Sequence, residues 1–361
     1  MKRSLKFSLG LANTEKLIKL DKLSKEYRKA VNYFLKRLFQ KKDLSEEFLK
    51  SYNSLLSYRF KQCAKRQSFK IFKSWCRNKK KGNKPQLKNP SMTLDYRFIE
   101  LQNSKDSSFD FWVKITTLDK GKPILIPLKT YDYANGYFKN WKLVKGGKLV
   151  KQDNRWFLIL NFEKQSIKLK KEGKIIGIDM GIKKLMVDSK NNKYGLDIER
   201  LMDKIQRKQQ GSKAFKRALR ERNYYINRTV KELPFDDIST IVMENIKGIK
   251  KNTKKDRKLR KEFRSKFQRW TYPSLLKRIN ELTELNGVHF QLIAPNYTSQ
   301  MCSKCSFVHK QNRNGEIFKC RNCGYTEDVD YNASLNILNL GLAQQPMVAG
   351  NIKALNGMFV H

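Results

Sequence analysis

Residues 173–181 read Gly-Lys-Ile-Ile-Gly-Ile-Asp-Met-Gly, and residues 238–245 read Ile-Ser-Thr-Ile-Val-Met-Glu-Asn. Each is a short apolar run that ends on a carboxylate, Asp179 in the first and Glu244 in the second. An apolar run of this length without polar alternation suits a strand buried on both faces, as in a parallel sheet covered by helices. In open α/β sheets the carboxyl ends of the strands are where active sites form. Both acids therefore stand where chemistry is expected.

The pattern around these runs supports an α/β domain. Lys184 to Asp188 and Tyr194 to Asp197 read as two further short strands that make a meander with 174–179, turned by Gly181 and Asn191-Asn192. Ile198 to Glu232 is a long basic helical stretch broken near Gly211-Ser212, and a helix opened by Pro273 precedes a strand from His289 to Ala294. A third acid, Asp330, lies in Asp328-Val-Asp330-Tyr-Asn332-Ala333 at the expected start of a helix. Three carboxylates at one sheet edge suit hard divalent cations, and two such ions about 4 Å apart activate a water and stabilise the leaving oxygen of a phosphodiester. Taken singly, each acid also has an ordinary reading: a turn residue, an ion-paired strand end, a helix cap.

Just upstream of Asp330, Cys302-Ser-Lys-Cys305 and Cys320-Arg-Asn-Cys323 are two C-x-x-C pairs separated by 14 residues. Each knuckle aims two thiolates at one point, and four thiolates close a tetrahedral structural Zn²⁺ site. Disulfides would suit a secreted chain. Here Lys2, Arg3 and Lys6 leave no apolar signal-peptide core, and the apolar runs are far too short to cross a membrane. We expect an intracellular, nucleoid-associated protein. Cys63 and Cys76 lack the knuckle pattern and read as ordinary thiols, and His309 is redundant as a ligand.

The chain has 361 residues with 78 Lys plus Arg against 33 Asp plus Glu, a net charge of +45. So large an excess self-repels in the compact state, and a polyanion whose counterions are released on binding is its natural compensation. With 39% hydrophobic residues the chain has the apolar surface to fold, which excludes wholesale disorder. The excess is spread over both halves, +27 for residues 1–170 and +18 for the rest. Residues 48–94 carry 13 Lys and Arg and no acid, interleaved with aromatics that either stack on bases or fill a core. Lys79, Lys80 and Lys81 there are candidate phosphate contacts. So are Lys254, Lys255, Arg257, Lys258 and Arg260 in the run 251–269, which holds ten bases against Asp256 and Glu262.

In the first half, residues 2–9 alternate as a strand. From a cap at Asn13 or Thr14, apolar positions Leu20, Leu23, Tyr27, Val31, Phe34 and Leu38 recur every three or four residues as an amphipathic helix. Helical signal continues through 44–78, and Lys79 to Pro90 is a Lys, Gly, Asn and Pro-rich break. Residues 92–165 hold short β runs, Phe109 to Ile115, Pro123 to Leu128 and Arg155 to Phe162. One strand precedes the helices and the others follow, so the helical block reads as an insertion in a single β domain. The tail after Leu342 reads as irregular.

Gly177-Ile-Asp179-Met-Gly181, Val242-Met-Glu244-Asn, Thr298-Ser-Gln-Met-Cys302 and Asp330-x-Asn332-Ala333 occur in that order. Together they resemble the transposon-encoded TnpB (OrfB) family, relatives of type V CRISPR effectors. The motifs cover roughly residues 173–340; the first half matches in layout only. The resemblance implies a RuvC-like (RNase H-like) nuclease domain over 171–342 with a zinc ribbon, 298–326, inserted. It implies a β-barrel-like wedge domain in two parts, 1–12 and 91–170, around a helical recognition insertion, 13–90, with 343–361 as a tail. In this resemblance Asp179, Glu244 and Asp330 are catalytic and hold Mg²⁺, Cys302, Cys305, Cys320 and Cys323 hold Zn²⁺, and the partners are a guide RNA and double-stranded DNA cut beside a short motif. An inactive guided repressor, a strand-joining transposase and a zinc-ribbon RNA-binding protein are the alternatives. The last leaves Asp179 and Glu244 without a role. Ser306 stands where relatives commonly have Gly, Val329 where a basic residue is common, and Ser334 where Ala is frequent. Asp328 is a rival for the third acid, and Asp330 is preferred because the x-Asn-Ala step follows it.

Overall fold

The computed structural model describes residues 1–78, 82–104, 107–246, 272–295 and 297–344. Lys79, Lys80, Lys81, Lys254, Lys255, Arg257, Lys258 and Arg260 lie outside these, as does the tail from 345. The chain divides into two units, residues 1–165 and 166–361.

In the first unit, strand β1 (Lys2–Ser8) pairs antiparallel with β7 (Arg155–Glu163) in a four-stranded sheet ordered β1-β7-β6-β2. Here β2 is Ser91–Leu94 and β6 is Lys142–Gln152. A second sheet, β3 (Ile99–Asn103), β4 (Phe111–Ile115) and β5 (Ile124–Leu128), is ordered β3-β4-β5. Three helices, α1 (Thr14–Phe39), α2 (Glu46–Ser51) and α3 (Tyr58–Arg77), intervene between β1 and β2. The α1 start is set by Asn13, whose side chain accepts from the Lys16 N–H at 3.0 Å. Its apolar stripe, Leu20, Leu23, Tyr27, Val31 and Phe34, is fully buried with Phe7, Phe60 and Phe162 in one core. The aromatics interleaved with cations in α3 serve that packing: Phe60 is buried, and Phe72 and Trp75 meet Phe39 edge-on.

Sequence patterning missed β2, β3, β6 and a short helix α4 (Asp132–Asn140). In α4, Asn135 and Gly136 are poor helix formers, and burial of Ala134 and Tyr137, with Phe138 packed on Phe111 and Phe162, offsets that. In β6, Gly146-Gly147 mark a bulge, where the register against β7 shifts between Val144 and Lys148.

In the second unit the sheet order is β10-β9-β8-β11-β12. The central strands β8 (Lys174–Asp179), β11 (Ile238–Glu244) and β12 (His289–Ile293) are parallel, while β9 (Met186–Asp188) and β10 (Lys193–Tyr194) turn back antiparallel. Helices α5 (Ile198–Gln206), α6 (Lys213–Thr229) and α7 (Tyr272–Asn286) bury one sheet face, the face of Ile176, Ile178, Ile241 and Met243. Helix α8 (Val329–Ala343) covers the other, packing Ile337 against Val242 and Ile293. The helical stretch of 198–232 is broken where the sequence placed the break, at Gly211-Ser212, with Gly211 at φ +87°. A three-stranded ribbon, β13 (Arg313–Asn314), β14 (Ile317–Lys319) and β15 (Thr326–Asp328), precedes α8. Among the described residues no helix is long and apolar enough to cross a membrane.

Candidate functional site

The alternation of a strand decides where the acids point. A Cβ added at Gly177 would lie 2.3 Å from the Ser334 carbonyl oxygen and 2.5 Å from the Leu338 nitrogen, so Gly177 faces α8. Two residues on, Asp179 faces the same way. On β11, Val242 lies against Gly341 of α8, so Glu244, two residues further, faces α8 as well. Ile178 pairs with Met243, which brings the two acids to neighbouring strand ends. Asp330 sits in the first turn of α8, with Asp328 as the cap: its carboxylate accepts from the N–H groups of Asp330 at 3.0 Å and Tyr331 at 3.3 Å. This divides the labour between the two rivals. Asp328 caps the helix, and Asp330 is the acid that bears on Asp179.

The electrostatics agree with that convergence. Burial, with the negative charges of Glu244 and Asp330, pushes the Asp179 carboxyl up to about 8. Burial also raises Glu244, against a hydrogen bond donated by Thr298 Oγ1. The oxygens of the three acids are not gathered within 4.8 Å of one another, unlike the ribbon thiols. Two of them have partners of their own: Glu244 accepts from Thr298, and Asp330 meets Lys184 Nζ at 3.1 Å. Lys184 also meets Asp328 at 2.7 Å and tethers the start of α8 to the turn after β8. Sequence reasoning gave Lys184 no role, because a lysine in so basic a chain carries no signal. Thr298 was legible only as a motif letter. A half-buried cluster of carboxylates, with Lys184 and the charge of Arg313 as partial counter-charge, is a donor set that fits a hard divalent cation.

The four cysteines lie together, their sulfurs all within 4.8 Å of one another. Cys302 and Cys323 are 3.7 Å apart at Sγ and Cys305 and Cys320 are 3.5 Å apart. A disulfide would require about 2.0 Å, whereas a tetrahedron with bonds of about 2.3 Å has edges of about 3.8 Å. The cage has the dimensions of a tetrahedral metal site. His309 is outside it; its Nδ1 accepts from the Gln311 N–H at 3.2 Å. The departures from the family pattern have local explanations. Ser306 adopts φ +60°, the left-handed region where glycine is cheapest. Val329 is buried with Phe318, Cys302 and Cys320 in the ribbon core. Ser334 is a buried residue of α8 itself, and its hydroxyl donates to the Tyr331 carbonyl at 2.7 Å. Cys302→Ser or Cys320→Ser is expected to lower bound metal and thermal stability, because both thiols are buried and losing one opens a closed site. Metal analysis of the purified variants checks this, and full occupancy in both would exclude the site.

In the first unit, a groove of about 500 Å³ lies between α3 and the β6 bulge, with Arg66, Lys70, Lys145 and Lys148 on its walls and Gln67 and Asn161 among them. Gly146, at φ +90°, lets the bulge pass close to the Leu94 carbonyl and so carries Lys145 and Lys148 to the groove. Asp95 holds Arg66 at 2.6 Å and Arg97 at 2.5 Å, and these guanidinium groups keep its carboxyl well below the usual range. The sequence showed the density of charge here but not the groove, which only the pairing of β6 with β7 creates.

The overall fold of the chain is similar to that of a solved Cas12f1. The chain matches the protein in a Cas12f1–sgRNA–target DNA complex with a TM-score of 0.59 over 91% of this chain and 83% of that one, at 19% identity. A family model described as "Cas12f1-like, TNB domain" matches residues 272–337, the stretch that holds all four cysteines and Asp330. A CRISPR-associated endodeoxyribonuclease Cas12f1 of Sulfoacidibacillus thermotolerans is 38% identical over 116 residues, 32% of this chain and 24% of the relative. A TnpB-like protein of Aquifex aeolicus is 29% identical over 119 residues, 30% and 38% of the two chains. The chain is thus similar in sequence to TnpB-like proteins and to Cas12f1 effectors, each over part of its length. It aligns with less than half the length of these two curated relatives.

Proposed function

We propose that this chain is an RNA-guided, Mg²⁺-dependent DNA endonuclease encoded by an insertion sequence, with a RuvC-like site. The observation that carries the reading is that Asp179, Glu244 and Asp330 turn to the same face of one sheet, close enough that two of them raise the third's pKa. In this reading the three carboxylates hold Mg²⁺, and Lys184 keeps Asp330 oriented at the start of α8. When bound, paired Mg²⁺ ions supply water activation and neutralise the leaving oxygen. The ribbon cysteines hold structural Zn²⁺, which matters for folding rather than for the reaction. The wedge and recognition assignments belong to the first unit, with helices α1–α3 as the recognition insertion.

The basic groove of the first unit is the proposed nucleic-acid surface within the described residues. Replacing Lys70, Lys145 and Lys148 together by Gln is expected to weaken binding and to make it less sensitive to salt. The slope of log affinity against log salt should fall by about 0.7–0.9 for each phosphate that is no longer neutralised. An unchanged slope would show that the groove does not touch the nucleic acid.

The test of the function is to purify the chain with the RNA it carries, sequence that RNA, and supply plasmids with and without the matching target. Cutting of the matched plasmid alone, silenced by chelating Mg²⁺, is the expected result. Equal cutting of both plasmids, or survival of cutting after chelation, would overturn it.

A further inference from the structure

The loop between β12 and the first cysteine knuckle joins two of the three acids. Thr298 is buried, four residues before Cys302, and its hydroxyl donates to Glu244 Oε1. Its own carbonyl accepts from Asn336 Nδ2 at 2.8 Å, and the same amide donates to the Met301 carbonyl at 2.7 Å. One turn earlier on α8, Asn332 Nδ2 donates to Met301 at 2.8 Å while its Oδ1 accepts from the Ser303 N–H at 3.0 Å. Asn332 and Asn336 are 0% and 1% exposed, so each is worth its burial only because its amide is satisfied. The helix that carries Asp330 therefore grips the loop whose threonine holds Glu244.

We propose that Thr298 is a positioning residue for Glu244, and that Asn332 and Asn336 lock it so that the second and third acids are set as one unit through the ribbon loop. This rests on the reading of the acids as a metal site. The physical reason is rotamer freedom. A glutamate at a strand end has three rotatable bonds, and a fixed donor on one oxygen narrows the conformations open to the carboxylate before metal arrives. The ordinary alternative is that Thr298 only satisfies a half-buried carboxylate and has no bearing on metal affinity.

The test is calorimetric titration of Mn²⁺ into the full chain with its RNA, for wild type, Thr298→Ser, Thr298→Val and Asp179→Ala, with zinc content and melting recorded for each. Thr298→Val is expected to weaken Mn²⁺ binding about tenfold, and Thr298→Ser to restore it, with zinc content unchanged in both. The Mg²⁺ concentration for half-maximal cutting should rise in parallel. Thr298→Ala, which removes the hydroxyl without adding volume, gives the same comparison if the valine variant loses zinc. Wild-type Mn²⁺ affinity in a zinc-loaded valine or alanine variant would overturn the positioning role while leaving the nuclease reading intact. Wild-type protein that binds no more Mn²⁺ than Asp179→Ala would remove the metal reading and this inference with it.

Discussion

Replacing Asp179, Glu244 or Asp330 by alanine is expected to lower DNA cutting by roughly 10³-fold or more, because a site that holds metal with three carboxylates loses its geometry when any one is removed. The triple variant should be no worse than the singles, as residues that act as a unit are not additive. Binding of RNA and target should persist, since phosphate contacts come from Lys and Arg elsewhere and removing a carboxylate lessens repulsion. Asp328→Asn makes the useful contrast. It keeps an oxygen to cap α8 and loses the charge that meets Lys184, so it should cost stability of the helix start more than it costs cutting. The measurement is plasmid cleavage at saturating guide and target, beside a binding assay for each variant. Equal cutting by wild type and Asp179→Ala would end the nuclease assignment. Guided binding without cutting in the wild type would favour a repressor.

The second large effect is expected at Gly177. An alanine Cβ there would lie 2.3 Å from the Ser334 carbonyl oxygen and 2.5 Å from the Leu338 nitrogen, both backbone atoms of α8 that cannot rotate away. The helix has to lift from β8, which should cost about 3 kcal/mol and lower the thermal midpoint of the second unit by about 6–12 °C. Cutting should fall with it, because lifting α8 also moves Asp330. Gly136 is the control: a Cβ there meets nothing within 4 Å, and in helix α4 an alanine is expected to be neutral or mildly stabilising. Thermal unfolding of the two variants separates the cases. A Gly177→Ala protein as stable as wild type would mean that α8 is not seated against β8 at that point.

Much of the site is legible in the sequence alone. The apolar runs ending on Asp179 and Glu244 signalled buried strands because a strand covered on both faces has no polar alternation to show. The spacing of Cys302, Cys305, Cys320 and Cys323 signalled the cage because a metal knuckle fixes its two thiols within four residues. The stripe from Leu20 to Leu38 signalled α1 because 3.6-residue periodicity is a local property. What the sequence did not carry depends on contacts between distant residues. Helix α4 forms because Ala134 and Tyr137 are buried, against the propensity of Asn135 and Gly136. The β6 bulge brings Lys145 and Lys148 to the groove only once β7 is paired beside it. Lys184 bridges to Asp330, and Thr298 reaches Glu244, because α8 lies across the sheet, and α8 can lie there because position 177 has no side chain. The acids were readable as residues; their facing one another is a consequence of how one helix packs on two strands.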